Sequence, residues 1–189
     1  IDADVAQETV KSLKASGGEA VSCVTTVDTM KGGEALAKTA LDAFGKIDCL
    51  VNNAGILRDR SFPKMTEEEW DAVMSVHAKG HFCCSRAVIQ PMRDIGGGCI
   101  INVTSTTGLA GRFGQVNYAA GKGAILGFTR ALAIELAKYN IRVNVVAPSA
   151  LTRMTESIPG ADLSRMPGPQ VNAPLFAWLA SDASKQFTG

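Results

Sequence analysis

Short apolar runs alternate with longer amphipathic segments along this chain, and this alternation constrains the fold more than any other feature. Four runs have the length and composition of buried strands, and five segments have the periodicity and capping residues of helices. Strands that alternate with helices are typical of βαβ units, in which the strands are parallel. We therefore expect a single α/β domain over 1–189, with strands at 20–24, 47–52, 99–104 and 141–147 and helices at 4–15, 33–44, 66–93, 117–138 and 171–181.

Three side chains suited to proton chemistry follow the third of these strands. Ser105 comes directly after the run 99–104, Tyr118 stands thirteen residues beyond it, and Lys122 follows four residues later. Residues i and i+4 share a helix face, so the Lys122 ammonium is expected beside the Tyr118 phenol, where a positive charge would lower a phenol pKa that starts near 10. A hydroxyl at the carboxyl end of a strand is well placed to hold a substrate oxygen. Tyrosine and lysine at this spacing also occur on many helices without a site, so the flanking segments decide the interpretation.

The flanking motifs carry a family resemblance. An Asn-Asn-Ala-Gly box at 52–55 follows the second strand, and the fourth strand leads into Pro148. With the Ser-Tyr-Lys set, in this order and spacing, they resemble the short-chain dehydrogenase/reductase family over essentially the whole chain. The chain is also similar to the (3R)-hydroxyacyl-CoA dehydrogenase part of peroxisomal multifunctional enzyme type 2 and its bacterial relatives in three stretches, at 52–62, 113–118 and 147–155.

The resemblance implies a Rossmann-like, doubly wound parallel sheet and a nicotinamide cofactor, NAD or NADP. It implies that Tyr118 transfers the hydroxyl proton of the substrate, that Ser105 holds the oxygen, and that Lys122 lowers the tyrosine pKa and grips the cofactor ribose. Turns after strands are common without any ligand, but ligands of open α/β sheets bind outside the carboxyl ends of strands. The cofactor contacts implied are Asn53, Ala54, Gly55, Tyr118, Lys122, Pro148, Ala150, Leu151, Thr152 and Arg153.

The resemblance leaves two assignments open, namely which residue contacts the adenine and what role His77 has. The family's adenine-contacting aspartate falls at Thr25 or Thr26, with Asp28 close behind, so Thr25 is the implied contact and lacks a carboxylate. The wider family has an asparagine in a proton relay where this chain and the multifunctional-enzyme relatives have a histidine, His77. An imidazole can relay protons through its two nitrogens. His77 also shares a helix face with apolar residues, so a catalytic role and a core role are equally favoured.

The resemblance also implies an incomplete sheet. The first residues already have the pattern of a capped helix, with Asp2 or Asp4 as the N-cap, and no G-x-G-x-x-G sequence precedes them. We therefore expect a fragment that lacks the first strand, the glycine-rich turn with its helix, the second strand and the last strand. A preference between NAD and NADP is not readable without the end of the second strand.

Charge and cysteine content argue against several other classes of protein. A formal net charge of +1 offers no basic surface for nucleic acid. The apolar-rich segment 125–136 is interrupted by charged residues well short of a membrane span. The five cysteines form no C-x-x-C pair and neither histidine has a second ligand at metal spacing, so we predict no metal and no redox site. Cysteines in apolar runs favour a reducing, cytoplasmic location.

Two functional hypotheses remain open at this point. The first is an oxidoreductase that transfers a hydride between a nicotinamide cofactor and a secondary alcohol or ketone, with a 3-hydroxyacyl or 3-oxoacyl thioester of coenzyme A or acyl carrier protein as the expected substrate. The family likeness also implies a homodimer or homotetramer, formed through the helices 66–93 and 117–138. The residues expected near this contact are Cys83, Ala87, Phe128, Leu132 and Leu136. The second hypothesis is a catalytically silent, truncated or degenerate domain that acts through packing or weak ligand binding.

Overall fold

Three parallel strands form the sheet in a computed structural model that describes residues 2–156, 164 and 166–189. The strands lie side by side in chain order: β1 (Cys49–Asn52), β2 (Gly98–Val103) and β3 (Ile141–Val146). The helices in the described part are α1 (Ala3–Ala15), α2 (Met30–Phe44), α3 (Glu67–Met74), α4 (Gly80–Asp94), α5 (Thr107–Ala110), α6 (Val116–Leu136), α7 (Arg153–Glu156) and α8 (Ala173–Ala180).

Helices cover both faces of this sheet. Side chains alternate in direction along a strand, so Ile100 and Ile101 of β2 belong to different buried clusters. The cluster on one face joins the sheet to α2, α4 and α6 and includes Ala37, Val88, Met92, Ile100, Ala133, Leu136 and Val143. The cluster on the other face joins it to α8 and includes Cys99, Ile101, Val146 and Leu179. The predicted α/β class, with a parallel sheet and helices on both sides, is confirmed.

A chain of buried polar side chains crosses the sheet near its carboxyl edge. Asn52 and Asn102 are register partners on β1 and β2, and Asn52 Nδ2 donates to Asn102 Oδ1 at 2.9 Å and to Ser85 Oγ at 3.0 Å. Asn102 Nδ2 then donates to Thr129 Oγ1 at 2.9 Å. A buried polar group without a partner costs about 1–3 kcal/mol. The network therefore holds β1 and β2 in one register and ties both to α4 and α6.

The predicted starts of α1 and α3 are confirmed in detail, whereas α2 begins at Met30 and not at 33, and one long helix is interrupted. Asp2 caps α1 by accepting hydrogen bonds from two backbone amides, and Thr66 and Glu69 form the expected capping box at α3. The segment predicted as one helix at 66–93 consists of α3, a π-helical segment Ser75–Lys79, and α4. A π-helical segment contains more residues per turn than an α-helix, and such segments often accompany functional sites. This one contains His77.

The prediction of a strand at 20–24 is wrong. Residues 19–26 contain no strand, and Val21 and Val24 are 46% and 48% exposed. An isolated β-branched run gains no backbone hydrogen bonds until a neighbouring strand pairs with it. Among the described residues no strand lies beside this run. The segment instead touches α1 through the 2.8 Å hydrogen bond from Gln7 Nε2 to Ser22 Oγ.

Two glycines allow close packing around the His77 side chain. A Cβ placed on Gly55 would lie 2.6 Å from His77 Cε1, and a Cβ on Gly121 would lie 3.1 Å from His77 Cβ. Gly121 is in the middle of α6, where glycine ordinarily destabilises a helix by about 1 kcal/mol relative to alanine. The approach of α6 to the π-helical segment accounts for its presence there.

Two buried histidines lie in or next to the π-helical segment. His77 and His81 are 0% and 2% exposed. Within the part of the chain that the structure describes, His77 Nδ1 and His81 Nε2 have no hydrogen-bond partner. Burial, together with a smaller contribution from the nearby Lys122 ammonium, lowers the pKa of each imidazole to about 4. Both side chains are therefore neutral at physiological pH.

We predict that the protein loses stability as the pH falls from 7 to 5. In the unfolded chain these histidines have their ordinary pKa of 6.5, so between pH 6.5 and 4 the unfolded state binds more protons than the folded state. Each histidine should then lower the free energy of unfolding by about 2 kcal/mol at pH 5. Urea denaturation at several pH values measures this effect, and His81→Gln should remove about half of it. A free energy that stays constant from pH 7 to 5 would contradict the burial of neutral imidazoles.

A comparison of two glycines in α6 tests the packing against His77. Gly127→Ala should raise the free energy of unfolding by about 0.5–1 kcal/mol, the helix propensity difference, because a Cβ there meets nothing within 4 Å. Gly121→Ala should give no such gain, since its Cβ would press on His77. Chemical denaturation of both variants beside the parent protein measures the difference. Equal gains at the two positions would show that α6 does not approach His77 this closely.

Candidate active site

A cavity of about 400 Å³ opens at the carboxyl edge of the sheet. The turns that follow all three strands contribute to its wall, and α6 and the π-helical segment close one side. It brings together most of the residues predicted from the sequence, namely Asn53, Ala54, Gly55, His77, Ser105, Tyr118, Lys122, Pro148, Ala150 and Thr152.

Three predicted cofactor contacts are not placed in this wall. Thr25 lies in the segment 19–26, where no strand forms, and it does not line the cavity. Leu151 does not line the cavity, and its backbone amide donates to the Pro167 carbonyl at 2.8 Å. Arg153 begins α7, and its side chain lies outside the described part of the structure.

Asp28, the carboxylate that follows Thr25 closely in the sequence, does not line the cavity either. Asp28 accepts hydrogen bonds from the hydroxyls of Thr26 and Ser75, the latter at 2.9 Å. These hydrogen bonds hold the pKa of the Asp28 carboxyl below its ordinary value. Asp28 therefore ties the segment before α2 to the π-helical segment.

Tyr118 is held in place by the residue that precedes it. The Asn117 side chain is fully buried, and its Oδ1 accepts a 2.8 Å hydrogen bond from the Tyr118 amide. Asn117 Nδ2 donates to the carbonyls of Arg58 at 2.9 Å and Glu69 at 3.1 Å. One amide thus joins the start of α6 to the loop after β1 and to α3. The phenol ring has little freedom to move relative to the cavity.

Burial dominates the electrostatics of the Tyr118 phenol. Desolvation raises its pKa, a hydrogen bond from Ser105 acts in the opposite direction, and the Asp59 carboxylate raises it again. The net result is a pKa above the ordinary value of 10. The phenol is therefore the protonated, neutral form at physiological pH, next to the Ser105 hydroxyl.

Lys122 does not act on this phenol as the sequence analysis predicted. Its side chain is 3% exposed, and Nζ donates a 2.7 Å hydrogen bond to the Val103 carbonyl, 5.7 Å from the centre of the Tyr118 ring. Burial lowers the pKa of the Lys122 ammonium to about 8. The expected lowering of the Tyr118 pKa is wrong for this structure, because desolvation of the phenol outweighs the other influences on it.

His77 shows features of both proposed roles. Its ring packs edge-on against Tyr118, with 5.1 Å between centroids and 88° between planes, and Nε2 lies 2.9 Å from the Ile56 carbonyl oxygen and 3.2 Å from the Ile56 amide nitrogen. This packing is that of a core side chain. The ring also lines the cavity, and Nδ1 has no partner among the described residues. A proton relay through His77 stays a prediction.

The sequence analysis missed the polar side chains on the wall beside Tyr118. Gln115 is 1% exposed, lines the cavity, and donates from Nε2 to Asp59 Oδ2 at 2.7 Å. Thr107 Oγ1 donates to Gln115 Oε1 at 3.4 Å. A glutamine and an asparagine at the start of an otherwise apolar helix were the available signal. Apart from the Thr107 hydroxyl and the Tyr118 amide, their partners lie 48 to 59 residues away in the chain, so spacing alone could not identify these contacts.

The arrangement is suited to moving protons at a polarised oxygen. A neutral phenol and a hydroxyl meet at the cavity wall, and an amine with a pKa near 8 and a neutral imidazole lie behind them. Over the described ranges, no three His, Cys, Asp or Glu side chains gather as metal ligands. A search of the same residues for a helix long and apolar enough to cross a membrane found none.

Comparisons with known proteins agree with this geometry. The chain is 44% identical over 184 residues to the mouse protein named peroxisomal multifunctional enzyme type 2, a match that covers 97% of this chain and 25% of the mouse protein. It is 40% identical over 192 residues to a 3-oxoacyl-[acyl-carrier-protein] reductase of Synechocystis sp., covering 97% of this chain and 78% of that protein.

A solved structure is similar over nearly the whole chain. The crystal structure of a short chain dehydrogenase from Mycobacterium avium superimposes with a TM-score of 0.86 at 41% sequence identity, covering 96% of this chain and 64% of that one. The chain thus spans a quarter of the mouse protein and about two thirds of the mycobacterial one. The family model described as short chain dehydrogenase matches residues 1–161. The chain belongs to the short-chain dehydrogenase family.

Proposed function

We propose that this protein is an oxidoreductase that transfers a hydride between NAD or NADP and a secondary alcohol or ketone. The observation that carries the proposal is the placement of the Tyr118 phenol and the Ser105 hydroxyl in the wall of one cavity of about 400 Å³. Such a cavity lies within the volume range of small-molecule sites. The family to which the chain belongs supports the same reaction class.

The cavity wall fits a nicotinamide cofactor. Asn53, Ala54 and Gly55 present small side chains or none where β1 ends, and Pro148, Ala150 and Thr152 follow β3. Backbone of this kind lets a sugar approach closely, and the carboxyl edge of a parallel sheet is where such ligands bind. When bound, the cofactor supplies or accepts the hydride. Lys122 and Thr152 are the polar side chains that would hold it.

Proton transfer falls to this chain's own residues. Because the Tyr118 phenol is protonated at physiological pH, it would donate its proton to a ketone oxygen held by the Ser105 hydroxyl, and take one back in the reverse direction. Lys122, with a pKa near 8, exists in both protonation states around neutral pH and would share a proton with the site. His77 would relay protons through Nδ1, which has no hydrogen-bond partner among the described residues.

We further propose an acyl thioester as the substrate, carried on coenzyme A or acyl carrier protein. The names of the mouse and Synechocystis relatives support this class, since one is a peroxisomal multifunctional enzyme and the other acts on a 3-oxoacyl-[acyl-carrier-protein]. The polar wall of Gln115 and Thr107 would face the carbonyl region of such a substrate. The chain length, the direction of reaction and a cytoplasmic location stay predictions.

Self-association through α4 and α6 also stays a proposal. The structure changes which residues would form the contact. Cys83 and Leu136, predicted near the contact, are buried within the domain itself. The exposed groove between the two helices contains Phe128 and Leu132, as predicted, and is completed by Phe82 and Ile89. Ile134 on the same stretch of α6 is 80% exposed. Apolar side chains on this face would be covered in a homodimer or homotetramer.

The alternative of a catalytically silent domain would retain the fold without the proton chemistry. The position of Thr25 away from the cavity is the observation that favours it, because a cofactor would then lack one implied contact. Saturable binding of NADH or NADPH with turnover of an acyl thioester supports the oxidoreductase. Binding without turnover on a panel of 3-oxoacyl thioesters would favour the silent domain.

Tyr118→Phe should lower turnover by about 10²-fold or more, the scale of lost acid–base catalysis, while cofactor affinity changes little. The substitution removes only the hydroxyl that meets Ser105 and keeps the ring that packs on His77. Steady-state kinetics with the protein's preferred thioester and a fluorescence titration of the reduced cofactor measure the two quantities. Tyr139→Phe is the matched control because Tyr139 lies outside the cavity wall. Parental turnover in Tyr118→Phe would remove this phenol from the mechanism.

Lys122→Ala should weaken cofactor binding and remove a change in activity near pH 8. In the parent protein the ammonium loses its proton as the pH rises through about 8, so activity that depends on the positive charge should decline above this value. The pH–rate profiles of the two proteins test this. Lys138→Ala, which removes an exposed lysine, is the control. If Lys122→Ala keeps the same alkaline limb and the same KM, Lys122 has no role in the reaction.

A further inference from the structure

Two cysteines that lie far apart in sequence face each other across the sheet. Cys49 of β1 and Cys99 of β2 are register partners, and both belong to the apolar cluster on the α8 face. Adjacent strands are about 4.8 Å apart, which falls inside the range of about 4.4–6.8 Å between the Cα atoms of disulfide-bonded residues. All five cysteines are free thiols in this structure.

The side chain of an arginine flanks Cys99 on the side opposite Cys49. Arg142 of β3 is the register partner of Cys99, and its guanidinium donates to the Leu179 carbonyl at 2.9 Å. The Cys99 thiol contacts the same carbonyl oxygen, with 3.3 Å between Sγ and the oxygen. The guanidinium and the thiol therefore converge on one atom. A positive charge so close favours the thiolate, the reactive form of cysteine.

The two thiols are electrostatically unequal. A hydrogen bond from Cys49 and the charge of Arg142 hold the pKa of the Cys99 thiol below its ordinary value, while the same hydrogen bond and burial raise the pKa of the Cys49 thiol. Cys99 also lines a polar cavity of about 680 Å³ together with Asp48, Arg142 and Lys185. The Cys99 side chain is itself 2% exposed, so a small oxidant would have to enter through this cavity, opposite the active-site edge.

We propose that Cys49 and Cys99 form a reversible redox site in which a peroxide converts the pair into a disulfide. The Cys99 thiolate attacks one peroxide oxygen, the O–O bond breaks, and a sulfenic acid forms with release of hydroxide. The Cys49 sulfur then attacks the Cys99 sulfur and expels the sulfenic oxygen, so that two thiols and hydrogen peroxide yield a disulfide and two waters. A dithiol reductant restores the pair.

This proposal departs from the prediction of no redox site, which depended on the absence of a C-x-x-C spacing. The neighbouring Cys83 and Cys84 provide an internal comparison. They are adjacent on α4, where consecutive side chains point in different directions, and burial raises the pKa of both thiols. They should resist the oxidant concentration that converts Cys49 and Cys99.

Peptide mapping after peroxide treatment tests the proposal. Trypsin releases Cys49 in the peptide 47–58, Cys99 in 94–112, and the two α4 cysteines in 80–86. Hydrogen peroxide should produce a cross-link between 47–58 and 94–112 that dithiothreitol reverses, with 80–86 still alkylated as free thiols. The Cys84→Ser variant should form the same cross-link. A cross-link from either peptide to the Cys23 peptide, or no cross-link when 80–86 is already oxidised, would overturn the proposal.

Two single variants test the order of the steps. In Cys49→Ser the reaction should stop at the sulfenic acid, so dimedone should label the peptide 94–112. In Cys99→Ser the peptide 47–58 should remain unlabelled under the same treatment, because its thiol has a raised pKa. Circular dichroism of both variants shows whether the fold is retained. Dimedone labelling of 47–58 in Cys99→Ser would contradict the assignment of Cys99 as the attacking thiolate.

Discussion

The register of the three parallel strands is the constraint on which the rest of this structure depends. A slip of one residue would turn every strand side chain to the opposite face, and the hydrogen bond between Asn52 and Asn102 would be lost from the interior. Because both amides are buried, a slipped register would leave them without partners. The polar pair therefore selects one alignment, which also sets the residue at which each strand ends.

That alignment gathers two groups of side chains at opposite ends of one sheet. At the carboxyl edge it gathers the turns that begin at Asn53, Ser105 and Pro148 around a single cavity. Toward the amino edge it aligns Cys49, Cys99 and Arg142 in one row. The short local patterns of the sequence identified the first group, since the turn after a strand has a distinctive composition. The second group is visible only when the strands are paired.

What could be predicted from the sequence follows the same division between local and distant interactions. The strands at 47–52, 99–104 and 141–147 and the capping box at Thr66 depend on neighbouring residues, and the structure places them where they were expected. The strand at 20–24 depends on a pairing partner, and this prediction failed, while the cofactor contact of Thr25 stays a prediction. The contacts of Asn117 and Gln115 join segments distant in sequence, so no periodicity could indicate them.

Burial changes how the Ser-Tyr-Lys set must be understood. Proximity of Tyr118 and Lys122 on one helix face suggested that the ammonium would acidify the phenol, but the two groups share an interior that disfavours charge on either. Desolvation raises the pKa of the phenol and lowers that of the ammonium, which brings both toward their neutral forms. Lys122 accordingly donates to the Val103 carbonyl rather than to the phenol. A ligand whose polar groups form hydrogen bonds with both side chains would offset part of this desolvation and would move both pKa values back toward their ordinary values.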